Sequence, residues 1–289
     1  MRLTIVFTVL GQHEMAKLAI RQAFDNCTDP ETRIVVVDNG GDFSYDDVRV
    51  SVVGDGRNMG VYPVFDYAFK NVPGDILAFF HSDLIVDEKG FDVRILKEFR
   101  HDPKLGLVGF VGSDEIDANG GRGGGTTSNF QGKSYLGDVP INTPGRPGTA
   151  FAMWTGSPAE AHGKRNAGYT NAAVVDGCAM VIRRNAWATI GFRPEFPPHH
   201  FYDRLISTQM LEAKYKVAVL GIACDHLGGQ TVSKEQRYPD MAQEWCEKHV
   251  QPDRYVGNPV SWDMTVYREA EFQWLREFRD RKHLVPIRV

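Results

Sequence analysis

Arg33-Ile34-Val35-Val36-Val37-Asp38-Asn39-Gly40-Gly41 is the stretch on which the fold turns. Its apolar run has no polar alternation, so both faces of the predicted strand are covered, as in a central strand of a parallel sheet. The run stops on a carboxylate, and Asn-Gly-Gly then supplies a turn. Working outward, Leu3-Thr4-Ile5-Val6-Phe7-Thr8-Val9 predicts a strand before it. Between them, 14–26 predicts an amphipathic helix with Met15, Leu18, Ala19 and Phe24 on a shared face. Beyond it, 50–53 predicts a short strand, and 61–70 a helix after the turn Asn58-Met59-Gly60. Asp75-Ile76-Leu77-Ala78-Phe79-Phe80 is a second buried run, ending at His81-Ser82-Asp83. A helix over 91–100 and a strand over 105–111 follow. The series alternates strand and helix, which predicts an α/β fold: an open, mostly parallel sheet with helices on both faces.

Pattern dissolves between 113 and 170, a stretch rich in Gly, Pro, Ser, Thr and Asn that includes Gly120-Gly121-Arg122-Gly123-Gly124-Gly125. A long segment of this kind in a compact domain reads as a mobile lid or binding loop. Pattern returns over 172–182, with helices over 185–190 and 206–213 and a strand over 215–220. A domain over 1–232 and a helical extension over 233–289 are expected. The extension carries Trp245, Tyr255, Trp262, Tyr267, Phe272, Trp274 and Phe278. Its aromatic face is read as packing on the domain or on a second subunit, a homo-oligomer contact.

Composition narrows the function. The 289 residues are 42% hydrophobic and 24% charged, an ordinary globular balance. The net charge of −4 gives no general reason to expect a polyanionic partner. No run reaches the ~20 apolar residues of a membrane span, and Met1 to Phe7 leads into Gln12-His13-Glu14 without a cleavage site, so a first strand is expected rather than a signal. Cys27, Cys178, Cys224 and Cys246 are dispersed and form no C-x-x-C, which points to reduced thiols and a cytoplasmic protein. The first strand is followed by a single glycine, Gly11, so the G-x-G-x-x-G of a dinucleotide site is missing. Neither a P-loop motif nor G-x-S-x-G occurs.

What remains is a pattern of polar groups at strand ends. Ligands of open parallel sheets bind there, and Asp38 and Asp83 each follow a buried run. Asp203 begins a predicted helix, where a capping role competes with a chemical one. His226 follows the predicted strand over 215–220. Carboxylates with an imidazole suit a divalent cation held partly by phosphate.

In chain order these segments resemble the GT-A fold glycosyltransferases, specifically family 2, over roughly 3–112 and 172–232. Val35-Val36-Val37-Asp38-Asn39-Gly40 is similar to the nucleobase-reading strand, and Arg57-Asn58-Met59-Gly60 to the N-x-G turn. Phe79-Phe80-His81-Ser82-Asp83 resembles the D-x-D strand end, with His81 in place of the first carboxylate. Asp176-Gly177-Cys178-Ala179-Met180 resembles the donor-sugar segment, and Gly191-Phe192-Arg193-Pro194-Glu195-Phe196 the turn that follows it. Tyr202-Asp203 stands where the family has Glu-Asp, and Asp225-His226 resembles the terminal metal-binding histidine. The resemblance implies a nucleoside diphosphate sugar donor, uridine-linked, bound by Thr8, Asp38, Asn58, Gly60, Asp176 and Gly177. It implies Mn²⁺ or Mg²⁺ on Asp83 and His226, Asp203 as general base, and inverting transfer to an acceptor hydroxyl on a glycan, protein, small molecule or modified nucleic acid base. Two alternatives stand beside it: a weak or inactive nucleotide-sugar binding module, and a nucleotidyltransferase of similar fold. The latter needs a Gly-rich basic phosphate loop that Gly11-Gln12-His13-Glu14 does not provide.

Overall fold

The computed structural model describes residues 1–113, 115–116, 122–123, 161–163, 168–194 and 202–226. The predicted lid over 113–170 in large part, the extension over 233–289 and Glu195 lie outside the described residues. In chain order the elements are β1 (Leu3–Val9), α1 (His13–Asn26), β2 (Arg33–Asp38), β3 (Val50–Val53), α2 (Tyr62–Asn71), β4 (Ile76–His81), β5 (Leu84–Val86) and α3 (Phe91–His101). Then come β6 (Leu105–Gly109), β7 (Gly112–Ser113), β8 (Glu115–Ile116), β9 (Arg122–Gly123), β10 (Ala161–Gly163), β11 (Tyr169–Asn171) and β12 (Val174–Val175). The chain continues through β13 (Ala179–Arg183), α4 (Arg184–Ile190), α5 (Tyr202–Glu212), β14 (Lys216–Leu220) and β15 (Cys224–His226).

The main sheet has eight strands in the order β11-β14-β6-β13-β4-β1-β2-β3. Strands β1, β2, β3, β4, β6 and β14 run one way, and β11 and β13 run against them. The alternating α/β architecture read from sequence is therefore present, with one inversion inside it. The inversion has a topological cause. A parallel re-entry needs a crossover along the sheet, but the chain leaves after β6 and returns at the same edge, because β7 and β12 pair there (Gly112 with Val175, Ser113 with Val174). It must therefore enter β13 in the opposite direction. The single pattern expected over 172–182 is two short strands, with residues 176–178 as the turn between them.

Side chains alternate across each strand, so the apolar runs feed two cores. Leu3, Ile5, Phe7, Ile34 and Val36 pack against α1 and α3. Val6, Val35 and Val37 pack against α2, α4 and α5, with Phe65, Phe69, Trp187, Leu205 and Met210. Both faces of β2 are thus covered, which is why its sequence has no polar alternation. Aromatic rings consolidate the second core: Phe65 stacks on Phe79 at 4.0 Å and Phe69 on Trp187 at 4.9 Å. No helix among the described residues is long and apolar enough to cross a membrane.

The edge away from the strand C-termini is closed by polar staples. Arg184 donates to the carbonyls of Phe69, Val72 and Gly74. Asp102 accepts hydrogen bonds from Lys216 Nζ at 2.6 Å, Tyr169 Oη at 2.7 Å and Lys104 N at 2.9 Å, joining the α3–β6 turn to β14 and β11. The Lys216 bond, with help from Tyr169, holds the Asp102 carboxyl at about 2, below its ordinary 3.8. A depressed folded-state pKa contributes stability above the unfolded value and loses it as pH falls through the folded one. Asp102→Asn should therefore lower stability by about 1 kcal/mol at neutral pH. The gap from the parent should narrow between about pH 4 and pH 2. Thermal unfolding of both proteins across that range checks this, and a gap independent of pH would reject the staple.

Candidate functional site

The C-terminal ends of β1, β2 and β4 meet at one edge. Thr8 pairs in register with His81 on one side, and Val9 with Asp38 on the other, so β1 alone separates β2 from β4. Beyond His81 the chain turns through Ser82 and Asp83 into β5. There β15 pairs antiparallel, setting His226 opposite Leu84 and Cys224 opposite Val86. Glu88 fixes the approach to β15 by accepting from Ala223 N at 3.0 Å while paired with Arg94. The 176–178 turn lies on the other flank of β4, where Cys178 O accepts from His81 N at 3.0 Å.

Three segments distant in sequence thus converge. His226 Nε2 is 3.5 Å from Asp83 Oδ1, and His81 Nδ1 is 3.8 Å from the same oxygen. The two imidazole rings are 5.5 Å apart. One ligand atom from each of His81, Asp83 and His226 lies within 4.8 Å of the others, and Asp176, Cys178 and His226 satisfy the same condition. Two imidazoles and a carboxylate are a donor set suited to a divalent cation. Burial pushes the Asp83 carboxyl up, but the charge and hydrogen bond of His226, with His81, outweigh it and hold the group below its ordinary value. Desolvation lowers His81, against the pull of Asp83, so the neutral ring that ligation needs is favoured.

Tyr202 reaches the cluster from α5. Its hydroxyl and His81 Nε2 are hydrogen-bonded at 2.8 Å, and its ring lies 5.6 Å from Phe65 and is 6% exposed. Burial, then the nearby carboxylates of Asp203 and Asp176, push its phenol well up. Asp203 follows in the first turn of α5, which starts earlier than the periodicity over 206–213 suggests. Its carboxylate accepts from Arg204 N at 2.8 Å and pairs with the Arg204 guanidinium at 3.0 Å, and it does not cap Leu205 or Ile206 through any observed bond among the described residues. Asp176 Oδ1 accepts from Cys178 N at 2.9 Å, shaping the turn beside His81.

Thr8 lies beside His81 in the sheet, while Asp38, Asn58 and Gly60 make hydrogen bonds within and between their own loops. Asp38 Oδ1 accepts from Gly40 N and Gly41 N, both at 2.9 Å, and Oδ2 from Phe43 N at 3.1 Å, so the carboxylate organises its own loop. Asn58 Oδ1 accepts from Gly60 N at 2.9 Å, and Gly60 O accepts from Asn39 Nδ2 at 3.0 Å. Gly60 has φ +83°, the left-handed region that favours glycine. The 38–41 and 58–60 loops are thereby tied to each other at the sheet edge. Sequence reasoning passed over His81, Tyr202 and Cys178 as functional groups. The available signal was that two departures from the family pattern, at 81 and 202, are both residues able to exchange a hydrogen bond, but only the fold brings them into contact. A separate cavity of about 440 Å³ lies at the opposite edge, lined by Arg2, Asn71, Gly74, Asp75 and Arg184. Since the guanidinium donors of Arg184 are taken by carbonyls there, that region is read as a clamp.

The chain belongs to the family described as glycosyltransferase-like: the family's sequence model matches residues 65–256. The match includes His81, Asp83, Asp176, Asp203 and His226 and begins after Thr8, Asp38, Asn58 and Gly60. Two solved structures are similar. One is the mannosyltransferase PcManGT from Pyrobaculum calidifontis in complex with GDP-Man and Mn²⁺, at 13% identity and TM-score 0.48, covering 97% of this chain and 73% of the other. The second is S. aureus TarS 1-349, at 15% identity and TM-score 0.46, covering 96% and 72%. A search of curated protein sequences finds no match.

Gly177 packs directly against the Tyr202 side chain. A Cβ there would meet the Tyr202 hydroxyl directly and stand 2.7 Å from its Cζ. The ring is buried and cannot swing aside freely. Gly177→Ala should therefore cost about 1–3 kcal/mol, the usual penalty for overpacking. Urea unfolding measures it, and a cost under about 0.5 kcal/mol, typical of a neutral surface change, would mean that Tyr202 is not held as described.

Proposed function

We propose that this chain transfers a sugar from a nucleoside diphosphate donor, uridine-linked, to an acceptor hydroxyl, in one displacement with inversion. The observation that carries the reading is the convergence of His81, Asp83 and His226 at the strand ends beside the first turn of α5, in a chain of the glycosyltransferase-like family. Ligands of open sheets bind at this edge. Asp83 and His226 are the proposed holders of Mn²⁺ or Mg²⁺. The bound cation supplies counter-charge to the diphosphate as the sugar leaves.

The chain's own residues account for the rest. The 38–41 and 58–60 loops, with Thr8 beside them, form the proposed nucleotide shelf. Since Asp38 and Asn58 spend side-chain oxygens on the loop backbone, their proposed contribution is loop shape and the groups left over, rather than free carboxylate and amide heads. Asp176 and Gly177 flank the donor sugar from the turn next to His81. Asp203 is the proposed base that takes the acceptor proton, with Arg204 fixing its rotamer. A base at such a position contributes ~10²–10⁴-fold. The acceptor class is left open among glycan, protein, small molecule and modified nucleic acid base.

Two measurements test the reading in order. With Mn²⁺ present, a uridine diphosphate sugar at about 100 times its Kd should stabilise the chain by about 2.7 kcal/mol. If no member of a panel of nucleoside diphosphate sugars raises the melting temperature, the donor reading fails. With a transferring pair in hand, Asp203→Asn should keep that stabilisation and lose transfer by at least about a hundredfold. Near-normal transfer by Asp203→Asn would remove it as the base.

A further inference from the structure

His81 and Tyr202 are the two positions at which this chain departs from the metal and base motifs of the family it resembles, and they are hydrogen-bonded to each other at 2.8 Å. Treated separately, each looks like the loss of a carboxylate. In contact, they form one unit. We propose that His81 is a third protein ligand of the cation site, and that Tyr202 is the positioning residue that holds its imidazole, giving a nitrogen-rich site selective for transition-metal ions over Mg²⁺. The proposal rests on the cation reading of Asp83 and His226 above.

The argument begins with the ring. Histidine has two nitrogens, and the hydrogen bond made by one fixes what the other can do. Nε2 of His81 faces the Tyr202 hydroxyl. With Nε2–H donating to that oxygen, the Nδ1 lone pair is on the side of Asp83 Oδ1, 3.8 Å away. His226 Nε2 approaches the same oxygen at 3.5 Å. Ligand atoms around a small divalent ion, bonded at about 2.0–2.2 Å, stand roughly 3–3.5 Å from one another, so the two separations from Asp83 need to close by only a few tenths of an ångström, while the two imidazoles, whose ligand atoms lie within 4.8 Å, must draw together around the ion. Tyr202 can hold the ring because it is itself held: Phe65 lies against its ring, and its hydroxyl end packs on Gly177 in the space a side chain there would occupy.

The donor set then sets the preference. Mg²⁺ is a hard ion that favours oxygen ligands and near-ideal octahedral geometry. Imidazole nitrogens favour later first-row ions in the order Mn²⁺ below Co²⁺ below Ni²⁺. Replacing a carboxylate by imidazole at 81 also removes a negative charge, which weakens the hold on Mg²⁺ most, because that ion gains least from nitrogen. Partners of a metal-bound histidine typically affect affinity 10–100-fold, so the Tyr202 hydroxyl is expected to matter although it touches no ion.

The experiment uses the full chain freed of metal by chelation. Pulsed electron paramagnetic resonance of the Mn²⁺-loaded protein should detect two coupled imidazole nitrogens. One nitrogen would overturn the proposal, and it is the result expected if the ion sits instead on Asp176, Cys178 and His226. Calorimetric titration with Co²⁺ and Mg²⁺ then follows the variants. His81→Asp should lower the Co²⁺ to Mg²⁺ affinity ratio at least about tenfold. Tyr202→Phe, which keeps the ring, should weaken Co²⁺ binding about tenfold or more when His81 is present, and should have little effect in the His81→Asp background. An unchanged ratio, or an equal Tyr202→Phe effect in both backgrounds, overturns the proposal. Absence of binding by every ion tested overturns the cation reading beneath it, which is a different result from binding without selectivity. The resonance measurement needs no variant to fold.

Discussion

The pairing of β15 with β5 is the interaction on which the proposed chemistry depends. Asp83 sits in the turn between β4 and β5, and His226 is set beside it only because Cys224, Asp225 and His226 align antiparallel with Val86, Ile85 and Leu84. The backbone of Ala223 is held at both of its polar groups, its carbonyl by Asp87 N and Glu88 N and its amide by the Glu88 carboxylate. That leaves the strand little freedom to slip, and a one-residue slip would turn the imidazole to the other face. The same segment places Cys224 and Ile222 in the core shared with α1 and α3. The site and the hydrophobic core are thus stabilised by one register.

A second constraint acts from the opposite flank. The chain re-enters the sheet as β13, against the direction of β4 and β6, and this delivers the 176–178 turn to the end of β4. Had β13 been parallel, that turn would lie at the far edge, beside Arg184 and Asp75, and Cys178 O could not accept from His81 N. Strand inversion, a feature of connectivity, is therefore what brings the proposed donor-sugar segment next to the proposed cation site. Gly177 then permits Tyr202 to lie against the turn, and Tyr202 reaches His81.

Much of the polar chemistry at this edge serves the loops themselves. Asp38 and Asn58 look like ligand-reading side chains in the sequence, yet each bonds the backbone two or three residues onward. Short Asp and Asn side chains do this readily. Asp203 likewise accepts from a backbone amide, that of Arg204 in the first turn of α5, and in addition pairs with the Arg204 guanidinium. Charge and carboxylate count alone do not separate these cases. The difference lies in the other partners within reach in the fold: Asp38 accepts from three amides of its own loop, whereas Asp203 adds a guanidinium to one amide.

By itself the sequence determined the layered α/β architecture. Uniform apolar runs such as Ile34 to Val37 and Ile76 to Phe80 can be stabilised only as strands covered on both faces, and the amphipathic segments between them supply the cover. It also marked Asp38 and Asp83, because strand ends are where a sheet of this kind presents polar groups, while Asp203 and His226 were singled out only by the order of motifs in the family resemblance. Only the tertiary structure decided the antiparallel insertion of β13, the pairing of β15 with β5 and the contact of His81 with Tyr202. Local periodicity reports how a residue is buried, but not which distant segment buries it. That choice depends on where the chain crosses the sheet, and it is fixed by the packing of both faces at once.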